Sequence, residues 1–124
     1  MKFPLKIFDV QYQVYLDDEE AFEKACEQYD IDPKITQGLH LDMTRRIYVT
    51  SKVPPEEQAQ TLLHELLHAI GTICGHAKLA VETQANELLV NAVATGLAQA
   101  FSNPTLYKVL GEKLGVFREE GKHD

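Results

Sequence analysis

The run His64-Glu65-Leu66-Leu67-His68 holds the residues of this chain whose types and spacing suit chemistry. Two histidines four apart on a helix share one face, with Cβ atoms about 5–6 Å apart. Both imidazoles can then reach one Zn²⁺ at about 2.0–2.1 Å. The glutamate between them projects beside that face, placed to hold a water molecule and take its proton. Leu66 and Leu67 keep the helix apolar and put no competing polar group next to the ion. The chemistry expected of this pattern is metal-assisted hydrolysis. The competing reading is an amphipathic helix with two ordinary, partly buried histidines.

A catalytic zinc usually takes three protein ligands and leaves one position open. Downstream, Cys74, His76, Glu82 and Glu87 carry suitable donors. The stretch from Ala77 to Phe101 reads as a second helix, with Val81, Ala85, Leu88, Leu89, Ala92, Val93 and Gly96 on one face at the 3.6-residue period. Glu82 falls within that inward arc, and Glu87 points to roughly the opposite side. A carboxylate on an apolar face needs a partner, and an ion held by the preceding helix would supply one. Glu82 is therefore the expected third ligand, although an acid near a helix start is also favoured by the dipole alone. Cys74 stands where the metzincin spacing H-E-x-x-H-x-x-G-x-x-H has its last histidine, and a thiolate can bind zinc. Gly71 is equally explained as a helix C-cap, and Cys74 as a small core residue. His76, on the loop between the helices, is the other alternative, as a ligand or as a contact to substrate.

These residues need elements to position them. Pro54-Pro55-Glu56-Glu57 starts the motif helix, with proline in the first turn and acids at the positive end of the dipole. That helix is expected over 55–73, the Glu82 helix over 78–101, and a short helix after Asn103-Pro104. Phe8, Val10, Tyr12, Val14 and Leu16 alternate with polar neighbours and read as one strand. Asp17 or Asp18 caps a helix whose stripe is Phe22, Ala25, Cys26 and Tyr29, and Asp32-Pro33 closes it. Leu39 and Leu41, then Ile47 and Val49, alternate around a Met43-Thr44 turn and read as a hairpin. Together these elements predict an α+β fold, with a small antiparallel sheet of about three strands on the motif helix and a second ligand-bearing helix.

Thr61-Leu62-Leu63-His64-Glu65-Leu66-Leu67-His68 followed by Glu82-Thr83-Gln84-Ala85-Asn86 resembles the small gluzincin metallopeptidases, of which the ImmA/IrrE-like group is most similar. The resemblance covers roughly residues 37 to 101. It implies a zincin-like fold in which His64, His68 and Glu82 bind zinc and Glu65 is the general base. It also implies hydrolysis of peptide bonds in a protein or peptide substrate, with a sheet edge beside the cleft; Arg46–Val49 is the candidate for that edge, and an ordinary interior strand is the equal alternative. The sequence departs from the group at Glu87-Leu88-Leu89 and in the short gap from His68 to Glu82. Such brevity is shared with compact phage and mobile-element relatives, and the same phage origin would suit a second reading, a zinc-stabilised module that binds a protein without cutting it. The intact Glu65 counts against that module, because a structural zinc needs no base and closes its fourth position with protein. For the oxyanion, His76, His40 and Tyr48 are all candidates, while His123 lies in the tail. Zinc is the default ion, and manganese or iron suits the same ligands.

Length and composition agree with an enzyme of this kind. The 124 residues suit a single domain, expected over 1–118, with a charged tail at 119–124. Hydrophobic residues make up 44% and charged ones 25%, as in soluble globular proteins. A net charge of −7 argues against a phosphate-binding surface, so no nucleic-acid partner is expected. No apolar run approaches a membrane span, and the start Met1-Lys2-Phe3-Pro4 leads into a strand rather than a secretory h-region. Cys26 and Cys74 make no disulfide framework. The expected location is the cytoplasm, of a bacterium or a phage-infected cell, and no oligomeric state is specified.

Overall fold

Apolar residues alternate on odd positions at Phe3, Leu5 and Ile7, then on even positions at Val10, Tyr12 and Val14. The change of phase is a hairpin in the computed structural model, which describes residues 1–74, 96, 97 and 99–115. Strand β1 (Lys2–Ile7) pairs antiparallel with β2 (Val10–Tyr15), Ile7 facing Val10 across a two-residue loop. The expected single strand over 8–16 is thus corrected. Phe8 sits in the loop with φ of 56°, a conformation its side chain gives no local reason to adopt. The loop lacks the Asn-Gly or Asp-Gly pair that usually announces such a turn.

Helix α1 (Glu19–Gln28) follows, its N-cap Asp18 accepting a hydrogen bond from the Ala21 amide at 3.0 Å. Strands β3 (Gly38–Leu41) and β4 (Arg46–Val49) form the expected antiparallel hairpin. Its turn places Arg45 at φ 56° and returns the Arg45 amide to the Asp42 carbonyl. The sheet order is β1-β2-β4-β3, with β4 parallel to β2. The expectation of about three antiparallel strands is therefore replaced by four strands in a mixed sheet. A parallel neighbour requires a crossover, and the chain between β2 and β4 supplies it with α1. Arg46–Val49, for which an edge and an interior place were both open, is interior; the edges are β1 and β3.

The registers divide the side chains between two faces. Leu5, Ile7, Tyr12, Val14, Ile47 and Val49 join Leu62, Leu66 and Ile70 of α2 (Pro55–Cys74) in the larger core. Leu106, Val109 and Leu110 of α3 (Pro104–Leu114) complete it. On the other face Leu39 and Tyr48 pack with Phe22, Ala25 and Cys26 of α1. Asn103 caps α3 by accepting from the Thr105 and Leu106 amides, and Gly115 ends it at φ 77°. Helix α2 runs to Cys74 and so continues through Gly71, which is buried within it and not a C-cap. Of the expected 78–101 helix, residues 96, 97 and 99–101 are described and helical. Gly96 faces inward as its phase predicts, so close to Ile70 that a Cβ would stand 2.9 Å from Ile70 Cγ1. The expected tail at 119–124 lies outside the described residues. Among the described residues no helix is long and apolar enough to cross a membrane.

One polar cluster locks α1 to the junction between β4 and α2. The Glu19 carboxylate accepts from Thr50 Oγ1 at 2.8 Å, the Ser51 amide at 2.7 Å and Ser51 Oγ at 3.1 Å. Burial would raise this carboxyl, but these bonds and the nearby Lys52 outweigh it and hold it below the ordinary glutamate value. A carboxyl depressed in the folded state contributes stability above its unfolded value, about 4.3, and loses it as pH falls through the folded value. Glu19→Gln is expected to cost about 1–3 kcal/mol at neutral pH. The difference from wild type should shrink on acidification toward pH 3, as read by denaturant unfolding at both pH values.

Candidate metal centre

Burial fixes the rotation of α2. Ala59, Leu62, Leu66, Ala69 and Ile70 are fully buried and face the sheet, which turns His64 and His68 outward. Their Nε2 atoms lie 3.0 Å apart. Tetrahedral ligation at 2.0–2.1 Å would set two nitrogens about 3.3 Å apart, so the pair fits one zinc ion with little adjustment. The rings meet edge to face, with centroids 4.6 Å apart.

Glu65 lies between the solvent-facing histidines and the core and is 7% exposed. Gly38, the first residue of β3, is the reason it fits. A Cβ at Gly38 would stand 2.5 Å from Thr61 Cγ2 and 3.0 Å from both Cγ and Oε2 of Glu65. The strand backbone thus packs directly on the carboxylate, an approach that only glycine allows. Burial pushes the Glu65 carboxyl above its ordinary value, while His64 and His68 pull it down.

A third histidine joins from the sheet. His40 of β3 shares the face of Ile47 and Val14, and its Nε2 makes a 2.8 Å hydrogen bond with the Tyr12 hydroxyl. Its ring is nearly parallel to that of His68, with centroids 6.5 Å apart. Burial, together with His68, holds the His40 imidazole below its ordinary value against the pull of Asp42. Tyr12 is 1% exposed, and burial, with Asp42 beside it, keeps its phenol protonated beyond the usual range. Of the oxyanion candidates, His40 is brought to the site. Tyr48 is not: it is on the opposite sheet face, stacked on Tyr15 at 4.4 Å and packed against α1.

Among the described residues no third His, Cys, Asp or Glu converges with His64 and His68 on one point. Glu82, expected there, lies outside the described residues, as do His76, Glu87 and His123. The continuous helix sets Cys74 about 15 Å along its axis from His64, too far for a shared ion. What sequence reasoning missed is the Gly38 contact and the Tyr12–His40 pair. The glycine at the head of an alternating strand was the only local signal for the first.

Comparison with known proteins adds one finding. The family model Peptidase_M78, described as the IrrE N-terminal-like domain, matches residues 21–102. The match spans more than half of the 124 residues and includes α1 from Ala21 onward, the β3–β4 hairpin and the whole of α2. No curated protein and no solved structure matches the chain.

The close approach of β3 to α2 can be tested without any assay of activity. Gly38→Ala is expected to lower stability by about 1–3 kcal/mol, the scale of overpacking in a core. Adding Thr61→Ser, which removes the methyl nearest the new Cβ, should restore part of that loss. Denaturant unfolding of the single and double variants reads both effects.

Proposed function

The chain belongs to the IrrE N-terminal-like family of peptidases, and from that premise we propose that it is a zinc-dependent endopeptidase. The observation that carries this reading is the 3.0 Å convergence of the His64 and His68 Nε2 atoms beside a buried carboxyl. In this reading His64, His68 and Glu82 hold the ion. Zinc bound there would polarise the carbonyl of the scissile bond and bring the pKa of water toward ~7.

The remaining steps belong to the chain. Glu65 accepts the proton of the attacking water and passes it to the leaving amine. Packing against Gly38 holds that carboxyl in one place, so the same group serves both transfers. His40, held through Tyr12 with its ring 6.5 Å from that of His68, is assigned as donor for charge developing on the carbonyl oxygen. The substrate backbone has a template in β3. The Thr50 amide bonds the Gln37 carbonyl, so residues 37, 39 and 41 pair with β4. Alternation then directs the backbone groups of Gly38 and His40 away from β4, where an extended peptide can add as a strand.

Elemental analysis of tag-free protein tests the ligand set. Wild type is expected to carry about one zinc per chain, as a three-ligand catalytic site requires, and Glu82→Ala clearly less. Zinc fully retained in Glu82→Ala would move the third ligand to His76, and none in wild type after zinc is supplied would remove the metal centre. Glu65→Gln separates binding from chemistry. It should retain zinc and lose on the order of 10²–10⁴ of the turnover on a randomised peptide mixture; equal turnover in the two proteins would sink the role of Glu65.

A further inference from the structure

Beside the histidine pair lies a cleft of about 480 Å³. Thr36 and Gln37, which lead into β3, form one wall, and Gln60 and Thr61 of α2 form the other. The cleft reaches His64, Glu65 and Gly38 at its inner end, and Ile35, 83% exposed, stands at its rim. Gln37 Oε1 accepts a 3.1 Å hydrogen bond from Thr61 Oγ1, which ties the two walls together. Apart from His64 and Glu65, every described side chain lining the cleft is uncharged.

We propose that this cleft is the subsite for the residue that follows the cut bond, and that it selects uncharged, hydrogen-bonding side chains such as Ser, Thr, Asn or Gln. The inference rests on the peptidase reading, because Glu65 gives it direction. A carboxyl that protonates the leaving amine must come within about 2.6–3.2 Å of that nitrogen. The residue bearing the nitrogen therefore sits on the Glu65 side of the centre, over Gly38, and its side chain enters this cleft. His68 and His40 lie on the other side, toward the C-terminal end of the motif.

Both signs of charge are disfavoured there for different reasons. An acidic side chain meets the Glu65 carboxyl in a chain of net charge −7. A basic one pairs with Glu65 and holds it away from the proton it has to move. Volume does not select, since the cleft is of the size that takes small-molecule ligands, roughly 300–1,000 Å³, and exceeds one side chain. The walls offer amide and hydroxyl groups from Thr36, Gln37, Gln60 and Thr61, with which a neutral polar side chain can exchange hydrogen bonds.

The test is digestion of a randomised peptide library by the zinc-reconstituted full chain, with the new N-terminal residues read by mass spectrometry. Gln60→Lys and Gln60→Glu are run alongside, since Gln60 is exposed on α2 and either charge is tolerated by the fold. Wild-type products should begin with Ser, Thr, Asn or Gln more often than with any charged residue. Gln60→Lys should raise Asp and Glu at that position, and Gln60→Glu should raise Lys and Arg, each by roughly fivefold, the scale of one partly exposed charge pair. Cleavage with no bias at that position, or with a bias that neither variant moves, overturns the subsite and leaves the peptidase reading intact. A selection confined to the residue before the cut overturns the orientation. No cleavage by wild type overturns both.

Discussion

A helix that must show two histidines to solvent and bury the carboxylate between them has to be held at one rotation. Here the sheet imposes it. Leu62, Leu66 and Ile70 each lie fully buried against the sheet face, and burial of each is worth about 1.5–3 kcal/mol. Turning α2 by the 100° that separates neighbouring residues would expose this row. The cost of desolvating one carboxyl is of comparable size to one or two of these side chains, so the row decides and Glu65 follows. Gly38 then determines how near β3 can come, and with it where the carboxyl rests.

The remaining polar contacts keep that geometry in register over long sequence distances. Glu19 holds the start of α1 to Thr50 and Ser51, just ahead of α2. Gln58, buried in the first turns of α2, donates to the Val53 carbonyl and accepts from Lys113 of α3. Lys113 also meets Asp17 at 3.0 Å, and its side chain is only 12% exposed. A mostly buried lysine with two oxygen partners joins α3 to α2 and to the loop between β2 and α1, which the apolar core alone would leave free to slide. Exposed pairs such as Lys24–Glu20 contribute far less, because water screens them.

Much of this was legible in local pattern. The cap Asp18, the short helix after Asn103-Pro104, the start of α2 at Pro55 and the β3–β4 turn all stand where residue types put them. The miss at residues 8–16 has a particular cause. Unbroken apolar alternation carried the reading through Phe8, while the shift from odd to even positions at Ile7 marked a reversal. The helix beyond α2 illustrates the other limit: Gly96 faces inward as its phase predicts, and the rest of the proposed ligand face, Glu82 included, lies outside the described residues.

The sequence by itself determined what depends on neighbours within about one helical turn. Histidines four apart on a capped, apolar-striped helix converge because the backbone repeats every 3.6 residues, whatever surrounds it. Tertiary structure alone decided the rest. That β4 is interior and parallel to β2, that Tyr48 faces α1, that His40 meets Tyr12 and stands beside His68, and that Gly38 rests on Glu65 are all pairings between residues far apart in the chain. Each strand's alternation says that it has a buried face, but not which strand lies beside it or what covers that face. Those choices are made by the summed packing of the whole core, to which no single segment holds the key.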